Sequence, residues 1–206
     1  NNIGISSFLP GGLDIKVSSV KIMNFLGFGT QASIINGMIE AADAGAKVIS
    51  LSLGRPSTEE IELAYEEAVK YVNDKGVIVV ISAGNSSMDA RNYSPANTRG
   101  VICVAAINQD LEMAYFSNHV RNIEMGIAAP GMAMLSTMPK NKYEMKNGTS
   151  MSAPYVAGII AILKHYNPQL TTKQIYTLIR QSAINRNGIA IIDPNRLMDL
   201  FLQEST

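Results

Sequence analysis

Ser150 stands between a glycine and the start of an apolar run, in Asn147-Gly148-Thr149-Ser150-Met151-Ser152-Ala153-Pro154. A hydroxyl there faces the positive end of a helix, and the serine's own backbone N–H is free to meet a developing negative charge. That is the chemistry of a nucleophile in acyl transfer. The same residues also suit plain helix capping, where serine is favoured. A second segment, Val79-Val80-Ile81-Ser82-Ala83-Gly84-Asn85, passes from an apolar strand through small residues to an asparagine. α/β sheets hold ligands at the C-terminal ends of their strands, and a side-chain amide there can donate to an oxyanion. Taken alone, Asn85 is equally at home in a turn.

The elements that must carry these residues alternate short β-branched runs with longer helical periods, which predicts an α/β fold with a largely parallel sheet. Residues 15–23 read as a first strand, with Ile15, Val17, Val20 and Ile22 apolar. Residues 32–44 place Ile34, Ile35, Met38, Ile39 and Ala42 on one helical face, and Gly45 closes that helix. Strands follow at residues 48–53, 77–81 and 101–107, the second of them apolar enough to be covered on both faces. Ser57 and Glu60 read as a capping box opening a helix that Gly76 ends, with Ile61, Ala64, Tyr65, Ala68 and Val72 inward. Residues 153–165 form an apolar helix with Pro154 in its first turn. Thr171 and Gln174 start a further helix, and the chain beyond Asn185 is less regular.

Composition narrows the functions available. Of 206 residues, 47% are hydrophobic and 17% charged, the mark of a packed chain. Lysine plus arginine and aspartate plus glutamate stand at 17 each, so no electrostatic drive toward nucleic acid or an anionic membrane exists. No apolar stretch is long enough to span a bilayer, and any leader or pro-segment is expected upstream of Asn1. The lone Cys103, in an apolar run, reads as a buried strand residue with no disulfide partner.

Together the two segments carry a resemblance. Asn147 to Pro154 is similar to the serine motif of the subtilisin-like proteases, and Ser82-Ala83-Gly84-Asn85 to their oxyanion strand. Ile34-Ile35-Asn36-Gly37 through Leu51-Ser52-Leu53-Gly54 resembles the helix and substrate-binding strand of that family. Asp89-Ala90-Arg91-Asn92-Tyr93-Ser94-Pro95-Ala96 looks like a loop of its proteinase K branch. The resemblance spans roughly residues 1–183. It implies a three-layer subtilisin-like fold, a mostly parallel sheet flanked by helices, with residues 1–206 forming an incomplete domain whose N-terminal strands are missing. It implies Ser150 as nucleophile and the Asn85 amide with the Ser150 N–H as oxyanion hole. Ser52, Leu53 and Gly54 on one side and Ser82, Ala83 and Gly84 on the other are expected to hold an extended polypeptide substrate by main-chain pairing. Tyr93 is expected in the wall of the first pocket.

The resemblance breaks at two places. The family's aspartate turn and its His-Gly-Thr-His are absent, and Asp43-Ala44-Gly45 imitates the former only superficially. His119 reads as a loop residue. His165 ends the serine's own helix, roughly 20 Å from Ser150 at 1.5 Å per residue. The expected partner is therefore the missing N-terminal part of the domain, in cis or as a separate chain. Two other readings stand beside this one, a pseudoprotease or peptide-binding module without turnover and a split enzyme. No cofactor is required for the chemistry. Asn1-Asn2-Ile3-Gly4 resembles a calcium loop, but its upstream ligands are absent. Gly126 and Ile127 stand where a second calcium position needs an aspartate, with Glu124 out of register. The family implies a secreted or cell-surface protein.

Overall fold

The computed structural model describes residues 13–204; the possible calcium loop at residues 1–4 lies outside them. In chain order the elements are α1 (Gln31–Asp43), β1 (Val48–Leu51), β2 (Arg55–Pro56), α2 (Glu59–Asp74), β3 (Ile78–Ser82), β4 (Tyr93–Ser94), β5 (Val101–Ile107) and β6 (Gly126–Pro130). There follow β7 (Met134–Met138), β8 (Lys142–Lys146), α3 (Thr149–Tyr166), α4 (Thr172–Ser182), β9 (Ile184–Arg186), β10 (Ile189–Ile191) and α5 (Pro194–Glu204).

Six strands form the central sheet in the order β1-β3-β5-β6-β10-β9, parallel except for the β9–β10 hairpin. Every residue of β3 and β5 is buried because helices cover both faces. Alternate strand residues divide between two cores. Ile78, Val80, Ile102 and Val104 pack under α3, α4 and α5, whereas Val79, Ile81, Cys103 and Ala105 pack under α1 and α2. The architecture is the expected three-layer α/β arrangement with a mostly parallel sheet. β1 lies at one edge of that sheet.

Residues 15–23 do not form the strand expected of them. They have no ladder partner among the described residues, and Val17 is 94% exposed. Their attachment to the fold is by side chain. The Ser33 hydroxyl donates to the Ile22 carbonyl at 2.9 Å, and Ile22 packs so tightly over Gly37 that a Cβ there would overlap it. Apolar alternation marks a chain able to join a sheet, but it does not by itself lay that chain beside a strand.

The Ser57–Glu60 capping box is also replaced. Thr58 is the N-cap of α2 and makes no side-chain cap bond. The Ser57 hydroxyl instead donates to Glu62 Oε1 at 2.6 Å and meets Ser94 Oγ at 2.5 Å. These contacts tie the head of α2 to β4. The Thr171–Gln174 capping box of α4 does form. At the far end of α3, Lys164 is buried, and its ammonium donates to the carbonyls of Gly76, Pro168 and Leu170 at 3.0, 2.5 and 3.0 Å. Three carbonyls use all three ammonium donors, which is what allows the charge to be buried.

Candidate active site

The site forms where β1, β3 and the N-terminus of α3 converge. α3 begins at Thr149, one turn earlier than its apolar pattern indicates, so Pro154 falls in the second turn rather than the first. A proline there cannot donate to the carbonyl of Ser150 four residues back. Ser52 takes up that acceptor, its hydroxyl donating to Ser150 O at 3.0 Å. The helix defect thus joins the end of β1 to the serine turn.

Gly148 caps α3 with φ 155° and ψ 154°, a backbone region essentially reserved for glycine. Its N–H donates to Gly131 O at 2.8 Å, and the Ser152 hydroxyl donates to Ala129 O at 3.1 Å, which seats the helix end on β6. Asn85 is oriented from the other side. Its Oδ1 accepts from the Thr149 N–H at 2.9 Å and from the Thr149 hydroxyl at 3.0 Å. The amide nitrogen is thereby turned toward the serine. A Cβ built on Gly148 would lie 3.6 Å from Ser150 N and 3.7 Å from Asn85 Nδ2. Both donors therefore border the gap that the missing side chain leaves open. Two N–H donors aimed into one small volume can stabilise an oxyanion.

A cavity of about 260 Å³ opens from this point. Ser52, Leu53, Gly54, Ser82, Ala83, Gly84, Asn85 and Ser150 all line it, as do Tyr93 and two residues without a sequence-assigned role, Ser86 and Ala96. The lining holds no charged side chain. β4, which carries Tyr93, is held antiparallel to β2 by the pairs Arg55↔Ser94 and Pro56↔Tyr93.

Asp89 starts the turn that leads into β4. Burial pushes its carboxyl up. Hydrogen bonds from the Arg91 side chain and N–H and from the Asn122 amide outweigh that and hold it at about 2. A depressed carboxyl pKa contributes stability above its unfolded value near 3.8, lost as pH falls through the folded value. Asp89→Asn in the full-length protein is expected to flatten the dependence of the urea midpoint on pH between 3.8 and about 2. An unchanged slope would assign the acid sensitivity elsewhere.

Neither histidine lies at the cavity. His119 is exposed beside residues 88–90, accepting from the Ala90 N–H through its carbonyl at 3.0 Å. His165 is exposed near the end of α3, fifteen residues along, or about 22 Å from Ser150. Asp43 is paired with Lys75 and Tyr71 on the surface. Among the described residues no group of three or more His, Cys, Asp or Glu could hold a metal ion, and no helix is long and apolar enough to cross a membrane. Cys103 is fully buried, which pushes its thiol far above the ordinary range and leaves it inert as a nucleophile.

Comparison with known proteins bears on the family and the fold. Subtilisin DY from Bacillus licheniformis is 33% identical over 188 residues, 90% of this chain and 66% of its own length. A thermostable alkaline protease from Halalkalibacterium halodurans is 36% identical over 184 residues, 89% of this chain and 48% of its own. The chain thus spans between about half and two thirds of these relatives. Among solved structures, a protease from Pseudoalteromonas arctica superposes with a TM-score of 0.75 at 29% identity, covering 84% of this chain and 59% of that one. The sequence profile described as the subtilase family matches residues 2–198. On a match of that extent, the chain belongs to the subtilase family.

Proposed function

We propose that this chain is the nucleophile-bearing part of a serine endopeptidase, with the general base and its orienting carboxylate supplied by a segment outside these residues. The observation that carries the reading is the pair of nitrogens, Asn85 Nδ2 and Ser150 N, bordering one gap, with Ser150 and Asn85 both in the lining of the adjoining cavity. Ser150 Oγ attacks the peptide carbonyl carbon and gives its proton to the incoming histidine. The carbonyl oxygen becomes an oxyanion held by the two donors. Collapse expels the amine, which takes that proton, and water then releases the acyl group by the same steps in reverse.

The substrate strand pairs along residues 52–54, which run past the last ladder pair, Leu51↔Ile81. Residues 83 and 84 serve as a wall rather than as a second pairing edge, because their backbone groups are already engaged. The Ala83 N–H donates to Val104 O, and the Gly84 N–H donates to Thr149 Oγ1. The Ala83 carbonyl accepts from Asn118 Nδ2 and the Gly84 carbonyl from Asn118 N. An uncharged lining that includes Leu53, Ala83, Tyr93 and Ala96 suits an uncharged side chain before the scissile bond. The free edge of β1 is where the complementary segment adds, in cis or as a separate chain. A secreted or cell-surface location fits a protease of this family.

An active-site-directed fluorophosphonate tests the reading. Label is expected on Ser150 in the full-length protein and not in this chain alone. Folded full-length protein that binds peptide yet takes no label would establish a peptide-binding module instead.

A further inference from the structure

Asn118 does not line the cavity, yet it is fully buried directly behind it. Its side chain is used at both ends. Nδ2 donates to Ala83 O at 2.8 Å, and Oδ1 accepts from the N–H groups of Ser86 and Met88, each at 3.0 Å. Its backbone N–H donates to Gly84 O at 2.9 Å. Four hydrogen bonds from one residue therefore embrace residues 83–88, with Asn85 at the centre. Gly84, at φ +101°, is pressed so close that a Cβ would overlap Asn118 Nδ2. Asn118 is itself anchored, since the Ser117 hydroxyl donates to its carbonyl at 3.0 Å and accepts from the Ala106 N–H of β5 at 2.9 Å.

Asn85 itself is held through its Oδ1, which accepts from the Thr149 N–H and from the Thr149 hydroxyl. Thr149 sets the direction of the amide, but the height of the Asn85 backbone above the sheet is set by the loop that bears it. That loop has left β3, and beyond Asn85 it is tied to the same neighbouring segment by the Ser87 N–H on Phe116 O and the His119 N–H on Met88 O, so Asn118 is the one residue of that segment that grips it on both sides of Asn85. We infer that Asn118 is the positioning residue of the oxyanion hole, holding the Asn85 donor at its distance from the reacting carbonyl by clamping the backbone on either side of it. A donor misplaced by a fraction of an ångström still permits substrate binding but loses much of its effect on the transition state.

This inference rests on the proteolytic reading above, and the test separates the two. Asn118→Ala, Asn85→Ala and the double variant are compared in the full-length enzyme on a chromogenic peptide. Asn118→Asp, nearly isosteric, keeps the acceptor half but sets an oxygen against the Ala83 carbonyl. Each Asn118 variant is expected to lower kcat about 10- to 100-fold with KM changed less than about threefold. The decisive reading is coupling: once Asn85 has lost its amide, the further loss from Asn118→Ala or Asn118→Asp should be under about threefold. Losses that multiply independently, or kcat unchanged in folded variants, overturn the inference while leaving the proteolytic reading intact. A wild-type enzyme without turnover sinks both. Should Asn118→Ala fail to accumulate, Asn118→Asp carries the same comparison, with folded protein counted by active-site titration.

Discussion

Replacing Ser150 with alanine in the full-length protein is expected to lower kcat by about 10⁶-fold, the size known for the serine of subtilisin rather than one derived from this geometry. On the proposed reading the Ser150 hydroxyl forms the acyl intermediate, and Ser152, two residues on, already donates its own to Ala129 O inside the fold. What remains is attack by water assisted by the oxyanion donors and by binding, on the order of 10³–10⁴ over the uncatalysed rate. Affinity for a non-cleaved peptide should be unchanged, because the pairing edge and the pocket wall are untouched. Initial rates with active-site titration provide the measurement. Retention of more than about a hundredth of the activity would remove Ser150 from the nucleophile's role.

Asn85→Ala should lower kcat by about 10²–10³-fold, or roughly 3–4 kcal/mol, with little change in KM; this too is the magnitude known for the subtilisin donor. The geometry adds a discriminating variant. Asn85 makes two kinds of use of its amide, an oxygen accepting from Thr149 and a nitrogen facing the gap. Asn85→Asp preserves the first and replaces the second with an oxygen carrying negative charge. If the role were only to fix Thr149, aspartate would rescue activity. If the role is donation, aspartate should be at least as damaging as alanine, since like charge is set against the developing oxyanion.

The site segments were legible in the sequence because each is continuous: Gly148 to Ser152 and Ser82 to Asn85 carry their chemistry within a few residues. The layers were legible for a similar reason, from the doubly covered run of β3 and the single face of α1. Residues 15–23 misled because period-two alternation reports what a chain could bury, and Val17 found nothing to bury against. Ser57 and Glu60 have the spacing of a cap, but tertiary partners, Glu62 and Ser94, claimed the hydroxyl. The β9–β10 hairpin carries its own local signal. Asn187-Gly188, with φ of 51° and 74°, is the favoured two-residue turn between short apolar strands. Asn118 had no local signal at all, since the carbonyl its amide meets lies 35 residues earlier in the chain.

The buried end of Lys164 has a consequence for how the protein will respond to amine-directed reagents. Surface lysines such as Lys70 and Lys140 are open to acylation in the native state, whereas the Lys164 amine is enclosed by three carbonyls drawn from the α2 terminus and the turn before α4. Reaching it requires the connection between α3 and α4 to part from the turn that follows α2. Its modification by a small acylating reagent therefore reports how often that corner opens, without an engineered probe.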